Sequence, residues 1–199
     1  MARLPDPLLA DRRRRQILDA AIGCFRRRGF HQATMQEICA EANISAGALY
    51  RYFNSKAEII AAIAEDKHAD SDVVLLNATH SAPVIEALSL LARDFFQKFA
   101  DGDGALIAEI FAEAIRDDAV AGPLRHINDK SVKYCVEAIK AAQSRDEVDK
   151  KLDASEAADT LFAAIEGIGL RRAFLRDTDT EAAVIQFRAL AHRYLEPHQ

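Results

Sequence analysis

Cysteine is scarce in this sequence, and the few cysteines form no recognisable pattern. Cys24, Cys39 and Cys135 are the three present in 199 residues. They are odd in number, widely spaced and outside any Cys-x-x-Cys pair, which argues against a disulfide framework and a zinc site. We therefore expect buried free thiols, no metal and no cofactor, with redox sensing by the thiols as the alternative.

Long apolar runs are also missing. Charged residues interrupt every apolar stretch, and residues 1–16 contain five arginines without an apolar segment behind them. These features argue against a transmembrane span and a secretory signal. We expect a cytoplasmic protein with no membrane partner.

The third absence is that of β-strand patterns. There is no sustained alternation of apolar and polar residues, and β-branched residues are sparse beside alanine and leucine. Half of the residues are apolar, enough for one large or two small domains. The pattern predicts an all-α fold of about nine helices.

Capping and breaking signals locate these helices. Thr34 with Glu37, and Ser55 with Glu58, have the spacing of a capping box. The fourth helix should continue to about Ala78. The predicted helices begin near Asp11, Thr34, Ser45, Ser55, Pro83, Ala105, Gly122, Asp153 and Thr178.

The net charge of −5 conceals an asymmetry along the chain. Residues 1–56 hold ten Lys and Arg against five Asp and Glu, whereas residues 57–199 hold 16 against 26. A basic first quarter on an acidic remainder indicates a small module that binds a polyanion, attached to a larger body that avoids one.

The basic segment contains a helix, a tight connection and a second short helix between Thr34 and Phe53. This is the order of a helix-turn-helix, whose second helix enters the DNA major groove. Small residues at the start of that helix allow close approach to DNA, and tyrosine hydroxyls nearby can reach phosphates. The apolar contacts between the helices are assigned to Ile38, Ala42, Ile44, Leu49 and Phe53.

Residues 34–59, TMQEICAEANISAGALYRYFNSKAEI, resemble the DNA-binding signature of TetR-family transcriptional regulators. The preceding ILDAAIGCFRRRGF is similar to the first helix of that family. Cys39 stands where the family usually has alanine, and Asn43 replaces the turn glycine, which is tolerable because asparagine adopts the left-handed conformation. The resemblance implies a three-helix DNA-binding domain, residues 1–56, and a larger helical ligand-binding and dimerisation domain, residues 57–199.

The family pattern assigns DNA contacts to individual positions. Phosphate contacts are expected at Thr34, Tyr50, Tyr52 and Lys56, and recognition-helix contacts at Ser45, Ala46, Gly47, Ala48 and Arg51. Simpler interpretations stay open: N-capping alone for Thr34 and Ser45, and a close helix crossing at Gly47. The arginines at 12–15 resemble a basic arm for the minor groove, or a solvated face.

The last two predicted helices carry wide apolar stripes, which suggest one face for the protomer core and another for a partner. We expect a four-helix interface in a homodimer, with purely intramolecular packing as the alternative. The residues assigned to this interface are Ala158, Leu161, Ile165, Ile168, Phe187, Leu190 and Tyr194.

Aromatic and aliphatic residues of the fourth to eighth helices are numerous enough to line a cavity for a small, largely apolar effector. The alternative is that they simply fill a core. The residues assigned to lining are Phe95, Phe96, Phe99, Leu106, Ile110, Phe111, Tyr134, Phe162 and Ile165, with Glu109, Glu113, His126 and Asn128 as polar contacts.

Enzymatic motifs are missing: there is no HExxH, Walker A, nucleophile elbow or GxGxxG. The sequence thus predicts a ligand-responsive DNA-binding regulator that is not an enzyme. We expect a dimeric repressor that binds a palindromic operator and is released by a small-molecule effector. The alternatives are a helical-bundle binding protein or enzyme with incidental DNA contact, and a repressor that senses thiol oxidation.

Overall fold

The computed structural model describes residues 7–66, 76 and 83–196. Within these ranges it contains nine helices and no strand, which confirms the all-α prediction. The helices are α1 (Pro7–Arg28), α2 (Met35–Glu41), α3 (Ala46–Leu49), α4 (described over 56–66), α5 (Val84–Ala100), α6 (Gly104–Arg116), α7 (Asp118–Ser144), α8 (Ala154–Phe174) and α9 (Thr180–Leu195). The predicted end of the fourth helix near Ala78 lies outside the described residues.

Two compact units make up the chain. Unit 1 comprises Met1–Asp66 and Ala105–Leu124, and unit 2 comprises Lys67–Gly104 and Arg125–Gln199. Unit 1 therefore includes most of α6 and the start of α7, in addition to the N-terminal helices. This division differs from the predicted boundary after residue 56, which assigned α6 to the second domain.

The core of unit 1 is formed by the inner faces of its helices. Phe25 of α1 and Ile38 of α2 are almost completely buried, and Leu106 of α6 packs into the same core. Burial of each such side chain contributes about 1.5–3 kcal/mol to folding. The other large buried side chains of this core are Ile17, Leu18, Phe30, Leu49, Phe53, Ile59, Ile60 and Val120.

Unit 2 packs α5, α8 and α9 together with the second half of α7. Leu88, Ile139, Leu161 and Phe187 are fully buried there. Ion pairs of Arg93 with Glu181 and of Arg188 with Glu86 join α5 to α9 at the surface of this core. The core is thus the meeting point of four helices.

Three predicted helix starts needed correction. The first helix begins at Pro7, before the predicted Asp11, and α7 begins at Asp118 with Pro123 inside it. Proline was taken as a start signal, but Asp117 begins the helix earlier, since its carboxylate accepts from the N–H of Ala119 at 2.8 Å. Similarly α9 is capped by Asp179 and not by the predicted Thr178.

Candidate nucleic-acid interface

The start of α2 is held by the capping box that the sequence predicts. Thr34 Oγ1 accepts from the N–H of Glu37 at 3.2 Å, and the Glu37 carboxylate accepts from the N–H of Thr34 at 3.0 Å. The backbone hydrogen bond from Thr34 lowers the pKa of Glu37. Thr34 is exposed at this N-terminus, where its hydroxyl also donates to the Glu37 carboxylate at 3.1 Å.

The connection from α2 to α3 is a Schellman turn. Asn43 has φ 49°, the left-handed conformation that the sequence predicts for this position. The N–H groups of Asn43 and Ile44 bond back to the carbonyls of Ala40 and Cys39 at 3.1 and 3.0 Å. This closed turn sets the angle between the two helices of the motif.

The second helix of the motif, α3, is short and is held by apolar side chains that pack into the core of unit 1. Ser45 caps it by accepting from the N–H of Ala48 at 3.2 Å. Leu49 and Phe53 are buried in the unit 1 core, whereas Tyr50 and Arg51 between them are exposed. The buried pair therefore fixes α3 with its polar residues directed outward.

Most of the predicted DNA-contact residues are exposed. Gly47 is informative, because a Cβ built there would meet no atom within 4 Å. Among the described residues, the glycine therefore serves no close helix crossing, which argues against the simpler interpretation offered for it. The exposed members of the set are Thr34, Ser45, Ala46, Gly47, Tyr50 and Arg51, and the half-buried ones are Ala48, Tyr52 and Lys56.

The acidic side chains of α2 are neutralised by arginines of α1. Arg28 Nε lies 3.1 Å from Glu37 Oε1, and Arg27 Nη2 lies 2.7 Å from Glu41 Oε2. All four side chains are at least one third exposed, so these pairs contribute little to stability. Their effect is to remove negative charge from the helix-turn-helix.

The arginines at 12–15 do not form an extended arm, because they lie inside α1. Arg14 is occupied by Asp66, with 3.1 Å between Nη1 and Oδ1, and its guanidinium lies 5.8 Å from the Phe53 ring centroid. Arg13 donates to Gln16 at 2.8 Å. The basic segment is therefore a helical face of α1, and contact of these arginines with the minor groove stays a prediction.

Lys56 is engaged with the turn between α1 and α2. Its ammonium donates to the carbonyl oxygens of Phe30 and His31 at 2.7 and 2.9 Å and lies 4.8 Å from the Phe30 ring centroid. Partial burial lowers the pKa of Lys56, and the charge of Glu113 opposes that shift. A backbone partner 26 residues away could not be read from the motif.

The predicted effector residues are divided between the two units. Phe96, Phe99 and Ile165 are buried in unit 2, where Phe95, Tyr134 and Phe162 are half-buried. The remaining apolar members, Leu106, Ile110 and Phe111, belong to unit 1, as do Glu109 and Glu113, while His126 and Asn128 are exposed residues of unit 2. The residues that the structure brings together in the core of unit 2 are therefore those of α5 and α8, with Tyr134 of α7.

Phe95 and Phe99 pack against α8 at Gly169. Their ring centroids are 5.1 Å apart, and a Cβ at Gly169 would lie 2.8 Å from Phe95 and 2.9 Å from Phe99. Glu166, one turn before Gly169, was missed by the sequence analysis. It has no hydrogen bond or ion pair with any described residue, and burial raises its pKa. Its signal was a lone acid inside an apolar stripe.

Glu166→Gln should stabilise the protein at neutral pH. A raised pKa means that the protonated form fits the fold, so its stabilising effect is complete below the ordinary value of 4.5 and is lost as pH rises through the folded-state pKa. Glutamine cannot ionise. Thermal melts should show a higher Tm for the variant at pH 7 and a difference that shrinks towards pH 4. A constant difference, or one equal to that of the exposed Glu137→Gln control, would contradict this.

The predicted dimer residues fall into two groups. Ala158, Leu161, Ile165 and Phe187 are buried inside the protomer core, so their assignment to a partner surface needs correction. The apolar stripe was assigned to a partner although the chain's own helices cover its centre. Ile168, Leu190 and Tyr194 retain exposed area. Leu190 and Tyr194 line a shallow groove with Gln186, Ala189 and Arg193.

The described residues offer no metal site and no membrane span. No three His, Cys, Asp or Glu side chains within them are grouped to hold a metal ion. None of the helices in these ranges combines the length and apolarity needed to cross a bilayer. Cys24, Cys39 and Cys135 are buried free thiols, as predicted.

Taken together, a capped α2, a left-handed turn and an outward-facing α3 define a helix-turn-helix transcriptional regulator. A family model described as bacterial regulatory proteins, tetR family, matches residues 17–63. A second, described as BetI-type transcriptional repressor, C-terminal, matches residues 84–197. The chain belongs to the TetR family, as its signature predicts.

Individual relatives agree with this assignment. The transcriptional regulator UidR of Escherichia coli K12 is 28% identical over 162 residues, which cover 78% of this chain and 79% of UidR. The structure of Salmonella enterica GusR has a TM-score of 0.78 and 25% identity, covering 98% of this chain and 99% of GusR. FadR from Bacillus subtilis in complex with stearoyl-CoA has a TM-score of 0.74 and 20% identity, covering 89% and 96%.

Proposed function

We propose that the protein is a homodimeric repressor that binds a palindromic operator and is released by a small, largely apolar effector. The exposed surface of α3 is the observation that supports the DNA-binding part of this proposal. There Gly47 leaves open space above the backbone, and Tyr50 and Arg51 are exposed beside it. A duplex can therefore approach the helix closely while side chains reach phosphates and base edges.

The proposed roles of the individual residues follow from chemistry and exposure. Thr34 offers a hydroxyl at a helix N-terminus, and Tyr50 and Tyr52 offer hydroxyls beside α3, all suited to phosphate oxygens. Arg51 is the side chain of this surface that can form two hydrogen bonds to guanine. Ser45, Ala46, Gly47 and Ala48 form the face on which the duplex rests.

A palindromic operator follows from dimerisation. Two copies related by a two-fold axis present two α3 helices to two half-sites of opposite orientation. The groove on α9 around Leu190 and Tyr194 is the surface proposed to meet the second copy. It lies in unit 2, away in sequence from the DNA-binding motif.

The effector is proposed to bind at the aromatic face of α5 and α8. Phe95 and Phe162 are half-buried there, and Glu166 supplies one polar group among them. Sites for small molecules are mostly apolar with few polar groups, which suits this composition. The FadR neighbour contains stearoyl-CoA, a ligand with a long apolar acyl chain on a charged head group, which supports the proposal of an apolar contribution to effector binding.

The DNA-binding part can be tested with a duplex that the protein selects from a random-sequence pool. The full chain should retain this palindromic duplex over a scrambled one at physiological salt. Tyr50→Phe should weaken binding to both duplexes, whereas Arg51→Ala should lose about 1–3 kcal/mol of discrimination at one base pair per half-site. Titration against single-base variants of the duplex measures both. Equal affinity for all duplexes would favour incidental DNA contact.

The thiol-oxidation alternative has less support. Burial raises the pKa of Cys24, and that of Cys135 to about 12. A thiol that stays protonated and buried at neutral pH reacts slowly with oxidants. We therefore favour a ligand signal over a redox signal.

A further inference from the structure

The turn between α1 and α2 is held by hydrogen bonds to side chains from two other helices of unit 1. Glu109 of α6 accepts a hydrogen bond from the backbone N–H of Phe30, with 2.6 Å between Oε2 and N. Lys56 at the start of α4 donates to the carbonyl oxygen of the same residue at 2.7 Å. Both polar backbone groups of Phe30 are thus bonded to side chains of helices outside the motif.

Gly29 makes this approach possible. Its φ of +79° is left-handed, and a Cβ there would lie 2.6 Å from each oxygen of the Glu109 carboxylate. Phe30 itself is buried, with its ring 5.3 Å from that of Phe25. The backbone and the side chain of this residue are therefore fixed at once.

The turn between α1 and α2 leads directly into the DNA-binding motif. The N–H of Ala33 bonds back to the carbonyl of Gly29 at 3.2 Å, and the next residue, Thr34, caps α2. A shift of this turn would move Thr34 and, through the closed turn at Asn43, also α3. The orientation of the motif in unit 1 thus depends on Phe30.

We propose that Glu109 and Lys56 are positioning residues for DNA binding. They hold the turn from Gly29 to His31, and with it the motif, in the DNA-binding arrangement, and they do not touch DNA. The inference rests on the proposed DNA-binding function. It reassigns Glu109 from effector contact and Lys56 from phosphate contact.

The direction in which Glu109→Ala changes DNA affinity separates a positioning role from a purely electrostatic one. Removing a carboxylate from a DNA-binding unit should raise affinity for a polyanion through electrostatics alone. If Glu109 is a positioning residue, Glu109→Ala in the full chain should instead lower affinity about tenfold, as expected for loss of a charge-assisted hydrogen bond. The probe is the duplex that the wild type selects from a random-sequence pool.

Three matched measurements accompany that variant. Glu109→Gln keeps an acceptor oxygen and should recover most of the affinity. Asp19→Ala, at an exposed position of α1, removes the same charge from unit 1 without breaking the Phe30 bond and should leave affinity unchanged or raised. Lys56→Met should weaken binding while the log–log salt slope stays constant, whereas a lost phosphate contact lowers it by about 0.9.

A measurement that needs no DNA distinguishes failure of the positioning role from failure of the proposed DNA-binding function. Hydrogen exchange of a peptide containing Phe30 should accelerate about tenfold in Glu109→Ala, with unchanged exchange in α5 and α9. Unchanged exchange, or unchanged or raised affinity of Glu109→Ala, would overturn the assignment of Glu109. A reduced salt slope for Lys56→Met would overturn that of Lys56. A wild type that selects no duplex would instead refute the proposed function itself.

Discussion

Replacing Gly47 by leucine should leave the protein folded and reduce its DNA affinity about 100-fold. A Cβ at this exposed position would meet no described atom within 4 Å, so the backbone of α3 can accept a larger residue there. Glycine costs a helix up to about 1 kcal/mol relative to better helix formers, so the Tm should stay equal or rise. Stability and DNA binding are therefore expected to move in opposite directions.

The loss of affinity follows from the space that a duplex needs. A leucine between α3 and DNA forces the two apart, and a comparable overpacking inside a protein costs about 1–3 kcal/mol, or up to roughly 150-fold. Phosphate contacts from Tyr50 and Thr34 would lengthen at the same time. Titration of the selected duplex by fluorescence anisotropy, together with thermal melts, measures both effects.

Gly167 provides the matched control. It is also an exposed helical glycine whose Cβ would meet no described atom within 4 Å, but it lies on α8 of unit 2, and unlike Gly122 it does not precede a proline. Gly167→Leu should match Gly47→Leu in stability and match the wild type in DNA affinity. If both variants bound DNA equally well, α3 would not be the surface that approaches the duplex.

The helix-turn-helix was predictable because its determinants are local. The Thr34–Glu37 capping box and the left-handed Asn43 are each fixed by residues a few positions apart, and the structure confirms both. Leu49 was assigned correctly to the interior because helical spacing places it opposite the small residues of α3. Signals of this kind depend only on residues close together in the sequence, so they can be recognised without knowledge of the fold.

The role of α6 was not predictable for the opposite reason. Its apolar residues Leu106 and Ile110 can pack against any apolar face, so periodicity did not reveal that they join unit 1. The partner of Glu109 is a backbone N–H 79 residues away. Because every residue except proline carries that group, no residue type marks the contact.

The stripes on α8 and α9 illustrate the same limit. Spacing identified Leu161 and Phe187 as apolar positions, but it could not say whether their neighbours come from the same chain or from a partner. In the structure these two are completely buried by their own protomer. The exposed edge of the stripe, at Leu190 and Tyr194, is the part that the proposed dimer would use.

Leu190→Arg should convert a dimer into a monomer. Leu190 lies in the groove on α9, is 39% exposed and is flanked by Tyr194, whose hydroxyl lies 3.5 Å from Thr160 Oγ1 on α8. A guanidinium there would have to be desolvated opposite a symmetry-related copy of itself, because a two-fold interface presents the same patch from both sides. Light scattering should give about 44 kDa for the wild type, twice the 22.0 kDa of one chain, and about 22 kDa for the variant.

Ile185→Arg is the control for this substitution. Ile185 lies on the same helix and is 66% exposed, but five residues separate it from Leu190, which places it about 140° around the helix. Ile185→Arg should remain dimeric.

The monomeric Leu190→Arg variant would bind each half-site of the palindrome independently. It should therefore lose at least about 100-fold in affinity for the palindrome while keeping its affinity for a single half-site. A wild type of 22 kDa at micromolar concentration, or a variant that stays dimeric, would rule out this surface as the dimer interface.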